Sequence, residues 1–590
     1  LNLRTRYLVT TADERTWPKD QPIHFLGEWC RRYSRKNVWQ HMDSVVAPYH
    51  WDDRKKLFED YKFIQKVYEE QLKGLSFELN QIHGVDHSLR YWRILLGPWL
   101  GQFIQMLFDR WFMLKQVIEQ NEVSACKVLD RNKEFLIPND MSHFRQLIYD
   151  DDWNEKIYGQ LLEMFWGNDL HVERISAGIE FDQKTPGVSK NWTMLAKDLA
   201  KKILSRLYPL MVKENEYFLI SSYLPLKINF RLQIQLGQFP KVWQFIAPTN
   251  IKPDLQKRLG SLITIEGKDA FSDVLRKMIP LHIPTAYLEG YDALIKKEND
   301  LPWPKKPKVI FTSNSYAYDD VFNSWAAKKT EKGTPLIIGQ HGGHFGMSPW
   351  AFLEEHQIAI SDAWISWGWS VKGKPKIKPV GILKEYRKSV NYDPNGKGLM
   401  MEMSMPRYSY HMYAVPVAGQ LLSYLEDQYR FIAALSEPLR EEILVRLYPF
   451  DFGWDEKDRW RDRFSKINID SGDQPIINLV ERSRILISTY NSTTYLESLT
   501  WNIPTIIFWN PEHWELKEDV KPYFEKLKSV GIFHETPESA ANQMTTVWDD
   551  VADWWESDEV QNVLHQFCDR FSYIPKNPID ELVTIFKEIA

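Results

Sequence analysis

A chain of 590 residues, 44% hydrophobic and 26% charged, has material for more than one domain with its own core. A net charge of -5 excludes a strongly basic nucleic-acid binder, and the three cysteines, Cys30, Cys126 and Cys568, form neither a metal-ligand pattern nor a disulfide framework. Residues 1–20 carry Arg4, Arg6, Asp13, Glu14 and Arg15 and lack an apolar core, so no secretory leader is expected, and the expected location is the cytoplasm.

In chain order, residues 6–11 predict a first strand running into a polar loop with Asp13 and Glu14, and residues 23–28 predict a second that ends at Glu28. Carboxylates at strand ends can act as a base or hold an acceptor sugar; solvated loop acids are the plainer alternative. Leu57, Tyr61, Ile64, Val67 and Tyr68 recur at helical spacing, which predicts a helix over 53–81. Helices are predicted again over 90–122, 141–165 and 191–208. The apolar stretch 91–118 is interrupted by Arg93, Gln102, Gln105, Asp109 and Arg110 and so reads as a buried core helix, not a membrane span. An amphipathic face for peripheral contact with a membrane is the alternative. Arg90 and Arg93, a turn apart among aromatics, can clamp an acceptor carboxylate or phosphate, or else form structural ion pairs. Asp150-Asp151-Asp152 sits in helical surroundings and reads as an exposed acidic loop.

Strand-like pieces return at 217–221 and 241–246, and helices at 271–281 and 284–296. A β-α-β unit follows: a strand over 308–314, a helix over 319–332, and an apolar run over 335–338. That run ends in Gln340-His341-Gly342-Gly343-His344. Ligands of open α/β sheets lie beyond the carboxyl ends of the strands, which places Gln340, His341, Gly342 and His344 beside one. The His341 imidazole titrates near neutrality and suits a general base; a turn histidine satisfied by backbone is the bland reading. No carboxylate stands near enough in sequence to complete a metal site with His341 and His344, so neither metal nor cofactor is expected.

Another strand is predicted at 363–368. The Lys/Pro/Gly-rich piece 372–379 and the linker-like 391–397 place a domain boundary between Lys384 and Lys397, dividing the chain into 1–388 and 389–590. Strands are then predicted at 398–405, 442–449 and 484–489, a helix over 415–434 and another from Ser492, and a strand at 503–508, the alternation of a parallel sheet. Thr489-Tyr490-Asn491-Ser492-Thr493 delivers hydroxyls to a helix start, where backbone N–H groups attract phosphate. Glu497, one turn on, can accept hydrogen bonds from ribose. An N-capping serine and a surface glutamate are the alternative.

This second segment resembles the nucleotide-binding motif of GT-B glycosyltransferases and of CDP-glycerol-type polymer transferases. Those families end a strand in a Ser/Thr-rich turn, followed by an acid-bearing helix and a proline-led strand, here Pro504. Residues 442–449, with Arg446, Tyr448 and Pro449, resemble the strand that closes in His-Pro, with Tyr448 in the histidine's place. Gln340-His341-Gly342 is similar to a turn in capsule and teichoic-type transferases. Phe25-Leu26-Gly27-Glu28-Trp29-Cys30, the run from His87 to Trp99, and Gln340-His341-Gly342-Gly343 most resemble bacterial surface-polysaccharide transferases of O-antigen and capsule systems, over essentially the whole chain.

The resemblance implies a GT-B-like α/β fold: two Rossmann-like domains with parallel sheets face a cleft, and the N-terminal one carries helical insertions. It implies a glycosyltransferase moving a sugar, first a CMP-linked ulosonic acid such as Kdo or a sialic-acid-like sugar, to a glycan or lipid-linked glycan, without metal. His341, Asp13, Glu14 and Glu28 are then candidates for catalysis. Gln340, Gly342, His344, Arg446, Tyr448, Pro449, Ser492, Thr493 and Glu497 are candidates for the donor, and Arg90 and Arg93 for the acceptor. A CDP-polyol phosphotransferase and a noncatalytic glycan-binding scaffold are the alternatives.

Overall fold

The computed structural model describes residues 6–178, 212–261, 269–385 and 390–590; the helix expected over 191–208 lies outside them. Within them the alternation of strands and helices resolves into parallel sheets. The first sheet holds β1 (Arg6–Val9), β2 (Ile23–Phe25), β3 (Ser44–Val46), β4 (Val123–Asp130) and β5 (His171–Ser176), in the order β3-β2-β1-β4-β5. The second holds β6 (Tyr217–Ile220), β7 (Val309–Thr312), β8 (Leu336–Gly339), β9 (Ala363–Ser366) and β10 (Ile377–Pro379), laid side by side in chain order. The third holds β11 (Lys397–Met401), β12 (Ile443–Arg446), β13 (Asn468–Asp470), β14 (Ser483–Ser488), β15 (Thr505–Phe508) and β16 (Phe533–His534), in the order β13-β12-β11-β14-β15-β16.

β6, β7, β8, β9 and β15 are buried at every position, as strands covered on both faces must be, and this makes their apolar runs legible. The third sheet reverses direction between β11 and β14, and such switch points open a crevice at the carboxyl ends. The first sheet reverses in the same way between β1 and β4, giving Rossmann-like order, whereas the second runs in chain order without a reversal. Residues 1–388, read as one α/β layer with helical additions, carry two sheets. Residues 241–246, read as a strand, are irregular: Lys241 is drawn into a buried ion pair with Glu216 (2.8 Å), and its N–H donates to Gln233 Oε1. Among the described residues no strand pairing joins the second sheet to the third.

Two helices organise the N-terminal core. In α1 (Arg54–His83), capped by Asp53 and closed by left-handed Gly84, Leu57, Tyr61, Ile64, Leu72, Leu75 and Leu79 form one buried stripe. α2 (Gly97–Glu119) is buried nearly all round, and its charges Asp109 and Arg110 pair with each other at 2.7 Å. Tyr49 also donates to Asp109, so the apolar stretch is a core helix. No helix among the described residues is long and apolar enough to cross a membrane. α3 (Asp320–Glu331) links β7 to β8, and α4 (Thr493–Thr500) follows β14. The last helix, α5 (Pro578–Ile589), returns to the second sheet, where Leu582 and Phe586 pack with Tyr217, Phe311 and Ile337.

Candidate functional site

The carboxyl end of β8 meets the start of α4. The approach is backbone on backbone: a Cβ on Gly343 would lie 2.4 Å from the Ser492 carbonyl and 2.6 Å from the Thr493 nitrogen. Only a residue without a side chain fits there. The Gly343 N–H donates to Thr493 Oγ1 at 3.2 Å, so the two predicted motifs, 150 residues apart, are joined directly. Gln340 shapes this turn from within. Its Nε2 donates to the Gly342 carbonyl (2.7 Å), and its Oε1 accepts from Trp367 N–H (3.0 Å) and Trp369 Nε1 (2.9 Å). That side chain, expected to touch the donor, is consumed in holding the loop.

His341 leaves the turn among Tyr223, Tyr316 and Phe345, with ring centroids 5.9, 6.2 and 5.3 Å away. His344 lies 5.1 Å from Tyr413, and His411 lies 3.8 Å from the same ring. His341 Nδ1, His344 Nε2 and His411 Nδ1 are sealed from solvent and find no hydrogen-bond partner among the described residues. Burial first, then the positive charges of Arg145 and Lys384, push the His341 pKa down to about 4 against the pull of the Ser313 carbonyl. Burial, His341 and Lys517 take His344 down to about 3, and burial, His344 and Arg145 hold His411 well below its ordinary value. At neutral pH these imidazoles carry no charge.

Across the contact, Ser492 precedes α4 without capping it by its side chain, so its hydroxyl is available where the first N–H groups of the helix converge. Asn491 is buried; its Oδ1 accepts from Tyr495 while its Nδ2 has no partner among the described residues. Glu497, one turn in, forms an ion pair with Lys384, which follows β10 and lies 5.5 Å from the Trp367 ring. This bond also spans the second and third sheets. Arg446 is spent on Asp470 (2.6 Å) and the Gln474 carbonyl (2.9 Å) and so ties β12 to the loop after β13. Tyr448 is 48% exposed and stacks with Phe452, while Pro449 lies so close to Gly472 that a Cβ there would come within 2.8 Å.

The remaining candidates lie elsewhere in the contact network. Asp13 is gripped by Arg15, Glu14 by Arg35 (2.6 Å) and Glu28 by Arg31 (2.5 Å), all beyond the carboxyl ends of the first sheet. Arg90 bonds Asp362 (2.7 Å) and the Ile360 carbonyl, and Arg93 bonds Glu69 (2.5 Å). No hydrogen bond or ion pair among the described residues ties any of the five to the His341 turn. Asp150 caps the helix Asp151–Phe165, and Asp151 pairs with Arg407 at 2.7 Å. Sequence reasoning missed Arg145, Tyr223, Lys384 and His411. The run Tyr408-Ser409-Tyr410-His411-Met412-Tyr413, polar aromatics directly after a strand, was the available signal for His411; Arg145 had none. A separate cavity of about 730 Å³, lined by Arg131, Lys156, Arg174, Arg276, Lys277 and Leu281 among others, shares no lining residue with the cleft.

The chain belongs to the LIC12162 family of transferases, whose profile matches residues 6–586. No curated protein matches it. Among solved structures it is similar to MurG of Acinetobacter baumannii, at 12% identity and a TM-score of 0.34, covering 64% of this chain and 100% of that one. The spinosyn rhamnosyltransferase SpnG matches at 10% and 0.31, covering 63% of this chain and 100% of that one. The wall teichoic acid polymerase TagF matches at 12% and 0.32, covering 68% and 98%.

Proposed function

We propose that this member of the LIC12162 transferase family is a glycosyltransferase that moves a sugar from a nucleotide-activated donor to a bacterial surface glycan. The donor we assign first is a CMP-linked ulosonic acid, Kdo or sialic-acid-like, and the acceptor is a growing or lipid-linked glycan. The division into domains 1–388 and 389–590 belongs to the same proposal. The observation that carries it is the direct contact of the Gly343 turn with Thr493. This contact sets an uncharged imidazole opposite a helix N-terminus suited to phosphate.

In this reading the donor phosphate lies on the first N–H groups of α4, with the Ser492 and Thr493 hydroxyls and Asn491 Nδ2 as added donors, and the ribose lies against Glu497. The acceptor hydroxyl enters from the side of the second sheet and gives its proton to His341. Its oxygen bonds to the anomeric carbon as the bond from that carbon to the phosphate oxygen breaks. The electron pair leaves with the nucleotide, whose growing charge meets the helix N-terminus and the Lys384 ammonium.

Titration calorimetry with CMP, CDP, UDP and GDP tests the nucleotide assignment. Glu497→Ala is expected to weaken the bound nucleotide by about 1–3 kcal/mol. His341→Ala is expected to keep most nucleotide affinity and lose about 10²–10⁴ in turnover with the matching donor and acceptor. A wild-type protein that binds none of the four nucleotides, or a His341→Ala enzyme of normal turnover, refutes the reading. A phosphodiester in the product would replace sugar transfer with polyol-phosphate transfer.

A further inference from the structure

Arginines in this protein are repeatedly matched by carboxylates. Arg446 has Asp470, Arg407 has Asp151, Arg110 has Asp109 and Arg90 has Asp362. Arg145, half-buried on the short helix Met141–Leu147, is different: no carboxylate pairs with it among the described residues. Its guanidinium lies over the Tyr318 ring, 5.7 Å from the centroid. Its side chain also hydrogen-bonds Tyr149. Its charge acts on Tyr149, Tyr223, Tyr316, Tyr410 and Tyr413 as well as on His341 and His411. Tyr149 packs edge-on to Tyr410 at 5.4 Å, and Tyr223 reaches His341 from a backbone held left-handed at φ 56°.

A positive charge withdrawn from water without a counter-charge is costly. The ring face of Tyr318 recovers part of that cost and the Tyr149 hydroxyl takes one donor, leaving the other guanidinium N–H groups for a partner. Strained backbone at Tyr223, next to the same histidine, is the kind of feature that clusters at ligand sites. His411 Nδ1, which has no protein partner among the described residues, can add a donor.

We propose that Arg145, with Tyr223, Tyr318 and the His341 and His411 imidazoles around it, is a recognition site for an oxyanion carried on the sugar side of the transfer, a carboxylate or a phosphate. The inference rests on the transferase reading of the cleft and names what that reading left open: an acidic group on the transferred sugar or on the acceptor. It is separate from the nucleotide phosphate at Ser492, which lies on the third sheet. Arg145 comes from the N-terminal part of the chain and meets Tyr318 in the loop after β7, and its charge reaches Tyr223 and His341 in the loops after β6 and β8. A carboxylate there belongs to an ulosonic acid, and a phosphate there belongs to a phosphorylated acceptor.

The test is titration of the full chain with free Kdo, Kdo methyl ester, glycerol phosphate and CMP, for wild type, Arg145→Gln and Arg145→Lys, with thermal melts alongside. Kdo or glycerol phosphate is expected to bind, identifying the carboxylate or the phosphate source, while the uncharged ester does not. Arg145→Gln should lose roughly ten- to a hundredfold in that affinity. Arg145→Lys keeps the charge without the fork and should lose at least about fivefold, which decides the matter where Arg145→Gln melts early. CMP affinity should fall by less than the anion affinity in both variants, since the nucleotide phosphate has donors of its own at the start of α4. Failure of CMP to bind any of the proteins, with the anion still dependent on Arg145, would refute the nucleotide assignment and leave this site standing. Wild-type protein indifferent to both anions at about 10 mM, equal binding of acid and ester, or undiminished anion affinity in the variants overturns the proposal.

Discussion

Adding one methyl group at Gly343 is the sharpest perturbation of the contact between the second and third sheets. The Cβ of Gly343→Ala would stand 2.4 Å from the Ser492 carbonyl and 2.6 Å from the Thr493 nitrogen, all backbone atoms that no rotamer change can move. Ordinary contact begins roughly 1 Å further out, so the β8 turn and α4 must part by about that much. Forcing atoms into a packed site costs about 1–3 kcal/mol, and the 3.2 Å bond from Gly343 N–H to Thr493 stretches with it. If the sheets stay joined, the cost shows in the melt. If they part, it shows as a loss of about five- to a hundredfold in affinity for the CMP proposed to lie between them. The control is Gly260→Ala: no atom lies within 4 Å of a Cβ there, and its φ is ordinary. That variant, in the helix Leu255–Ser261, is expected to be neutral or stabilised by up to about 1 kcal/mol. Calorimetric melts and CMP titrations of both variants make the measurement. A Gly343→Ala protein that melts and binds like Gly260→Ala would show that the two sheets do not meet this way.

Gln340→Ala should act as a structural lesion. Trp367 N–H and Trp369 Nε1 lose their shared acceptor while still buried, so a loss of about 2–4 kcal/mol in urea unfolding is expected, and unaltered unfolding would return Gln340 to a ligand-binding role. The His341 pKa, about 4 when folded against an ordinary value near 6.5, means the folded state binds fewer protons than the unfolded chain between those values. Stability from this group is therefore full above pH 6.5 and falls as pH drops toward 4, by about 2 kcal/mol at pH 5. His341→Gln should flatten that part of the slope between pH 7 and pH 5 in urea melts, and a slope unchanged by the substitution would mean the imidazole is solvated.

The parts of the cleft that were legible in the sequence are those where local chemistry repeats. β8 and β14 show as buried apolar runs, and the turns after them show by glycine and hydroxyl content, because a strand end that receives a ligand needs both. β3 and β5 were not legible: β5 (His171–Ser176) is an edge strand whose partner β4 lies 41 or more residues away in chain, and its polar residues fit a loop equally well. The mistaken strand at 241–246 has the right apolar content, but Glu216 and Gln233 hold Lys241 in an irregular path through contacts distant in sequence. The same limit hid Arg145. An arginine on a short helix reads as surface charge until the fold shows that it faces tyrosines and no carboxylate.

An imidazole with a pKa near 4 is a weak base, so burial alone does not make His341 effective. The depression has a removable part, however: after burial it comes from the positive charges of Arg145 and Lys384. An anion seated beside these groups works in the opposite direction. One unit charge about 4 Å from the ring at an effective dielectric constant of 20 is worth roughly 4 kcal/mol, or about three pKa units, enough to bring the imidazole near 7. A base near neutrality is the efficient one. On the proposed reading, the free protein keeps His341 uncharged and weak, and an acidic ligand drawn to Arg145 would also make the base competent. The two states differ in their acid limbs: the stability of the free protein declines between pH 6.5 and 4, while turnover with an anionic ligand bound declines nearer pH 7. Coincidence of the two limbs would dissolve this coupling and leave Arg145 to bind without tuning the base.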